Sequence, residues 1–341
     1  MNTSDLLVKR CGLALLSALL LSAPCGAQTL KIATVAPEGS SWMRDMRAAA
    51  AEIGERTGGQ VQVKFYGGGT QGDDLRVLRK IRGRQLQGAV LTSSALAGVY
   101  PEMLQYGLPL LFRSREEMLF VRSRIDSMIA DGLRAKGFES FGFASLGFAR
   151  IMSTENPVVR LEDARGLKIW VPKGDDIGFS AMRLVGLAPL ELPISDVLVS
   201  LQTGIVDVVV GPPSGAILLQ WHTRIRYVTD FPLVFAYGLL AIDRRAFERL
   251  SAGNQSIVRQ AFTRLAADLD RRDAEENAAA SQALRNAGLE YLQPPPEEVE
   301  RWRQAFSGSY PELVREADMS AELHQRIMAL LAEFRAAQGA G

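Results

Sequence analysis

An α/β chain of two similarly built lobes is the fold class this sequence predicts, and three observations carry it. Short β-rich runs alternate with amphipathic helical stretches from Leu30 onward, the rhythm of a parallel sheet covered by helices. One helix–glycine–strand unit occurs twice, at Arg84 to Leu91 and at Ser200 to Val210. About 310 residues remain after an N-terminal segment, a length that suits two domains. That unit also recurs in any α/β protein, so taken alone it does not decide for two lobes.

The chain opens with Lys9 and Arg10, then an apolar run from Cys11 to Leu21, then small residues around Cys25, Gly26 and Ala27. This is the order of a secretory signal peptide spanning residues 1–27, cut before Gln28, and it predicts a periplasmic protein. The run is shorter than the roughly 18–20 residues of a membrane span, which argues against a retained anchor. Leu21-Ser22-Ala23-Pro24-Cys25 resembles a lipid-attachment box, but the proline before the cysteine argues against lipidation.

Leu30 to Val35 reads as the first strand, and Ala36 to Ser41 as a turn ending in helix-capping serines. The helix that follows places Trp42, Met46, Ala49, Ala50 and Ile53 on one face. Gly58-Gly59 stops it before the strand Val61 to Tyr66. A second helix from about Asp73 to Leu86 leads into the strand Ala89 to Thr92. After this strand and after Val206 to Val210 come loops of small residues, Thr92-Ser93-Ser94 and Gly211-Pro212-Pro213-Ser214. Ligands of open α/β sheets gather at such carboxyl ends of strands. From Ser256 to Asn286 runs a helical stretch without proline, longer than a globular average and long enough to brace two lobes. Gln293 to Pro296 ends the next segment, Glu297 to Phe306 restarts as a helix, and the tail at Gly339-Ala340-Gly341 is expected to be disordered.

Composition excludes several function classes. Both cysteines, Cys11 and Cys25, fall in the signal segment, so the mature chain has no thiol chemistry, cysteine zinc site or disulfide. Removing Lys9, Arg10 and Asp5 with that segment from 39 basic and 38 acidic residues leaves 37 of each. A balanced chain has no electrostatic reason to bind nucleic acid or an anionic membrane.

Motifs for catalysis are missing too. The two histidines stand apart, His324 in a polar C-terminal helix and read as surface, His222 between Trp221 and Thr223 and read as a structural hydrogen bond. There is no Gly-x-Ser-x-Gly elbow, Walker loop or His-Glu-x-x-His motif. Gly67-Gly68-Gly69 reads as a tight turn. Asp73-Asp74 and Asp175-Asp176 read as acidic residues favoured where helices begin. Neither enzyme activity, cofactor nor metal is expected. The aromatic residues Trp42, Trp170, Trp221, Tyr66 and Phe148 lie at or beside strand–helix junctions, where a cleft between lobes would be lined.

Six segments carry a resemblance through about Leu30 to Phe306. They are Glu55-Arg56-Thr57-Gly58-Gly59 with Gln71-Gly72-Asp73-Asp74, Leu108 to Arg113, Leu161 to Pro172, Pro193-Ile194-Ser195-Asp196-Val197, and Leu201 to Asp207. In their number and order the chain resembles the extracytoplasmic solute receptors of TRAP transporters, the dicarboxylate-binding type. The resemblance implies a two-lobed, periplasmic-binding-protein-like fold with hinge strands and a long spanning helix. It implies binding of a small organic solute and its transfer to TRAP-type membrane permease subunits. Lobe 1 is then expected at 28–147 plus 234–255, lobe 2 at 148–233 plus 285–330, and the bridging helix at 256–286.

Three departures bear on the ligand. The arginine that the family usually places before Val-Pro to grip a carboxylate falls on Trp170. A second family arginine falls on Ala149, with Arg150 one residue later on what should be the opposite strand face. A family asparagine falls on Gly211. A carboxylate buried without a cation costs several kcal/mol. The expected ligand is therefore hydrophobic or aromatic, and small dicarboxylates and sialic acid are expected to bind poorly. A relaxed register that lets Arg150 reach the cleft is the competing expectation.

The expected cleft comprises Val35, Ala36 and Trp42 from the first junction, Tyr66 and Gln71 from the second, Thr92 and Ser93 from the third, and Leu108 after it. The other lobe is expected to add Arg150, Trp170, Gly211, Pro212, Ser214 and Trp221, with Tyr237 near the return hinge. A receptor-like scaffold that docks onto another periplasmic or envelope protein is the alternative function.

Overall fold

A computed structural model describes residues 27–339. Residues 1–26 of the expected signal peptide, with both cysteines, and the tail beyond Gly339 lie outside the described residues. Ten strands form one mixed sheet. They are β1 (Gln28–Ala33), β2 (Val61–Tyr66), β3 (Gly88–Thr92), β4 (Phe138–Ser140), β5 (Ala144–Ser153), β6 (Ile169–Pro172), β7 (Pro189–Leu192), β8 (Val208–Gly211), β9 (Tyr227–Asp243) and β10 (Glu290–Leu292). The main path runs β2-β1-β3-β9-β5-β8-β6-β7, with β4 and β10 paired to β9.

The expected parallel pairing holds at the two ends of this path, β2-β1-β3 and β8-β6-β7. Between them β9 runs antiparallel to β3 and β5, and β5 antiparallel to β8. The 17 residues of β9 pair with β5 through Tyr227 and with β3 as far as Ile242, so one strand passes from one half of the sheet to the other. An antiparallel return is the geometry of two long strands that cross between halves in opposite directions.

Helices cover the sheet. They are α1 (Ser41–Arg56), α2 (Asp74–Arg82), α3 (Ser93–Ala97), α4 (Arg115–Ala135), α5 (Asp176–Leu184), α6 (Val197–Gln202), α7 (Pro213–Leu218), α8 (Arg244–Glu248), α9 (Ala252–Asn286), α10 (Pro296–Ser307), α11 (Tyr310–Glu316) and α12 (Ala321–Gly339). The Ser40 hydroxyl accepts the Met43 N–H at 3.1 Å and starts α1. That helix buries Met43, Met46, Ala49 and Ile53 at the i, i+3, i+4 spacing of one face. Trp42, expected on the same face, is only half-buried and turns toward the cleft.

The long helix α9 begins four residues earlier than expected, because the Ser251 hydroxyl caps it by accepting the Asn254 N–H. Its 35 residues span about 50 Å. The N-terminal half packs Val258, Phe262, Leu265 and Leu269 with α1 and β1, whereas Leu284 packs with Trp170 and Trp221. Between these, Asp273 and Asn277 fasten the helix to β5. The Ser145 hydroxyl donates to Asp273 at 2.6 Å, and Asn277 donates to the Leu146 carbonyl at 3.1 Å. Gly147, at φ +100°, leaves room that a β-carbon would take from Asn277.

The last elements divide differently from the expected assignment of 285–330 to the second lobe. Trp302 of α10 donates to the Val159 carbonyl beside that half. Tyr310 instead donates to the Pro109 carbonyl, α12 packs against α4, and Arg335 pairs with Glu117. The chain thus returns to the first half because the apolar face of α4, including Val121 and Ile125, needs cover that α12 supplies with residues such as Ile327 and Leu331.

Candidate ligand-binding site

The carboxyl ends of β1 and β3 face those of β6 and β8 across a cavity of about 700 Å³. Val35 and Ala36 leave β1, and Trp42 follows in α1. Thr92 and Ser93 connect β3 to α3, the Thr92 hydroxyl capping that helix. From the other half come Trp170, Gly211, Pro212, Ser214 and Trp221. The crossing strand β9 lays Leu233, Phe235 and Tyr237 along the floor, with Phe235 and Tyr237 stacked at 5.7 Å. The small side chains of Ala279, Ala280 and Ala283 let α9 form another wall.

Trp170 and Trp221 are a built pair, 2% and 3% exposed, packed edge to face with ring centroids 5.1 Å apart. The Trp170 indole N–H donates to the Leu192 carbonyl at 2.9 Å, so the cavity meets its ring and not its donor. A β-carbon on Gly211 would lie 2.9 Å from Trp221 Cζ3, and the glycine is what admits that ring. Tyr237 is also buried, its hydroxyl donating to the Met103 carbonyl. Burial, and then the nearby Asp126, push its phenol far above the usual range.

Eleven of the fifteen expected residues meet in this cavity: Val35, Ala36, Trp42, Thr92, Ser93, Trp170, Gly211, Pro212, Ser214, Trp221 and Tyr237. Four do not. Tyr66 lies under the Lys64 ammonium, 5.2 Å from its ring centre. Gln71 accepts a bond from Lys80 at 2.9 Å and borders a separate small pocket. Leu108 is fully buried in the core between the lining residues Gly107 and Pro109.

Arg150 is the fourth, and its absence corrects the competing expectation. Ala149 pairs with Val234 and Ile151 with Thr229, so four residues of β9, Asp230 to Leu233, stand opposite Arg150 alone. That bulge carries Asp230, which accepts the Arg150 Nε–H at 2.6 Å and also bonds Arg285 and Gln293. The guanidinium therefore points away from the cavity, and Ala149 lines it instead.

Among the described residues no lysine, arginine or histidine lines the cavity, whereas three carboxylates do: Asp74, Asp175 and Glu276. The Thr92 hydroxyl donates to Asp74 at 3.1 Å, and burial raises that carboxyl above its usual range. Asp175 caps α5 by accepting the Gly178 N–H at 3.0 Å, and burial, with Asp176 and Glu191 nearby, pushes it up to about 6. Glu276 accepts the Trp42 indole N–H at 3.4 Å and lies 3.8 Å from Arg272. Read from sequence, Asp74 and Asp175 were plain helix starts, and nothing local distinguishes a solvated helix start from one turned into a cleft. Leu233 and Phe235 were not expected in the cleft, and the only signal for them is their alternation with Tyr237, which was.

The histidines lie elsewhere. His222 Nδ1 is 3.2 Å from the Ala216 carbonyl. His324, expected at the surface, is half-buried against the Tyr310 ring, and burial lowers its pKa. No group of three or more histidine, cysteine or acidic residues suited to a metal occurs among the described residues. No described helix is long and apolar enough to cross a membrane.

The family model of bacterial extracellular solute-binding proteins, family 7, matches residues 32–317. An uncharacterized protein of Salmonella typhimurium is 25% identical over 216 residues, 62% of this chain and 65% of its own length, slightly under two thirds of that relative. The C4-dicarboxylate-binding periplasmic protein of Rhodobacter capsulatus is 26% identical over 289 residues, 83% of this chain and 85% of that one. Among solved structures, the sugar acid binding protein of Advenella mimigardefordensis in complex with galactonate superposes with a TM-score of 0.84 at 19% identity. It covers 90% of this chain and 99% of that chain.

Proposed function

Taking as premise that this chain belongs to the bacterial extracellular solute-binding proteins of family 7 and is a TRAP-type solute receptor rather than an enzyme, we propose that its ligand is hydrophobic or aromatic and not a dicarboxylate. The carrying observation is the cavity wall: no cation lines it among the described residues, and Trp170, Ala149 and Gly211 stand in it where the family resemblance leads one to expect polar contacts. The R. capsulatus relative is described as binding C4-dicarboxylates and the A. mimigardefordensis structure holds galactonate, both acids. Here an acid would have to leave water for a site that returns no charge-assisted bond. The expected gain comes instead from apolar contact, about 25 cal/mol for each Å² removed from water.

The proposed path is that of a receptor exported with loss of residues 1–27, closing around its solute and delivering it to a membrane permease. The binding reading is tested by native mass spectrometry of the mature chain, followed by organic extraction of whatever co-purifies. A stoichiometric apolar or aromatic compound supports it. A bound dicarboxylate or sugar acid overturns it.

A further inference from the structure

We propose that the ligand of this cleft is an organic cation, a protonated amine on an apolar or aromatic skeleton, with its ammonium held by a carboxylate of the wall, Asp175 or Asp74. The inference deepens the reading of the cleft as an apolar solute site and rests on it.

The three lining carboxylates are not equivalent. Glu276 has Arg272 beside it and the Trp42 N–H upon it. Asp74 and Asp175 have no ion pair among the described residues, although both face the cavity. Asp74 receives its donors from Thr92 alone, and Asp175 one backbone N–H on Oδ1, with no donor to its Oδ2 among the described residues. The two also come from opposite halves of the sheet, one opening α2 and the other capping α5. Their chain neighbours meet across the cleft, since a β-carbon on Gly174 would lie 3.5 Å from Leu75 Cδ2. Each half therefore brings to the cavity wall one carboxylate that has no ion pair among the described residues.

A carboxylate in such a place is costly to keep ionised. Without a ligand it relaxes by holding a proton, which agrees with the direction in which burial moves both groups. A bound ammonium supplies the missing charge instead. An anion meets two carboxylates and no cation, a repulsive arrangement that excludes it. The skeleton of the ligand would lie against Trp221 and Phe235, leaving the charged end as its only polar requirement.

The test is calorimetric titration of the mature chain at pH 7.5 with matched probes: 3-phenylpropylamine, 3-phenylpropan-1-ol and 3-phenylpropionate, then the n-octyl amine, alcohol and carboxylate. The amine is expected to bind at least tenfold more tightly than the alcohol, with the carboxylate weakest. Asp175→Asn or Asp74→Asn is expected to close most of the gap between amine and alcohol. Asparagine keeps the cap at 175, so that variant alone carries the comparison if Asp74→Asn does not fold. An alcohol that binds as tightly as its amine overturns the cation while leaving the apolar reading standing. A carboxylate that binds most tightly, or six probes that all fail to bind, overturns both.

Discussion

Trp221 occupies the space that any side chain at Gly211 would need: its Cζ3 lies 2.9 Å from the position of a β-carbon there. The two residues are therefore one device. Small size at 211 lets the indole lean against Trp170, and the indole in turn closes the wall where a polar side chain would project.

Gly211→Asn is expected to force the Trp221 ring aside and to lower stability by about 1–3 kcal/mol through overpacking. Trp221→Ala makes a cavity and is expected to cost about 3–5 kcal/mol. The double variant should be less damaged than the sum, because each change makes room for the other. Urea titration of the four proteins checks this, and strict additivity would disconnect the pair.

Trp170→Arg places a guanidinium in a site that is 2% exposed, where the indole now packs against Trp221. A loss of about 3 kcal/mol in stability is expected, with apolar ligands weakened at least tenfold and carboxylates admitted. Melting curves with and without a carboxylate decide it; unchanged binding of both ligand types would remove Trp170 from the site.

Asp175 ties stability to pH. Its ordinary value is 3.8 and burial raises it to about 6, so between those values the native state holds a proton that the unfolded chain has released. This group accordingly favours the fold most at the acid end and costs up to about 3 kcal/mol once the pH passes 6. Asp175→Asn keeps the helix cap but does not titrate. Its stability advantage over wild type should grow by that amount from pH 4 to pH 7, measured by urea unfolding without ligand. A difference that is flat with pH would place the carboxyl in solvent.

Arg150→Ala should leave ligand affinity unchanged, since the guanidinium is engaged by Asp230 away from the cavity. The expected cost is about 1 kcal/mol of stability, as Asp230 retains Arg285. Loss of binding in a folded Arg150→Ala protein would return this residue to the cleft.

Local patterns were enough to read much of the architecture. Strand–helix alternation marked both sheet ends, a proline-free stretch marked α9, and small-residue loops after β3 and β8 marked the cleft. These follow from period and capping, which act over a few residues. The expectation that Trp170, Ala149 and Gly211 stand in place of polar residues came from the family resemblance rather than from local pattern. Only the tertiary structure decided where side chains without a local tell would point. The bulge opposite Arg150 turned its guanidinium to Asp230, and the packing of Trp221 depended on a glycine ten residues earlier. Asp74 and Asp175 became cleft residues because two helix starts, about a hundred positions apart, converge where Leu75 meets Gly174. Burial and electrostatic environment are sums over neighbours distant in sequence, and no window of residues contains them.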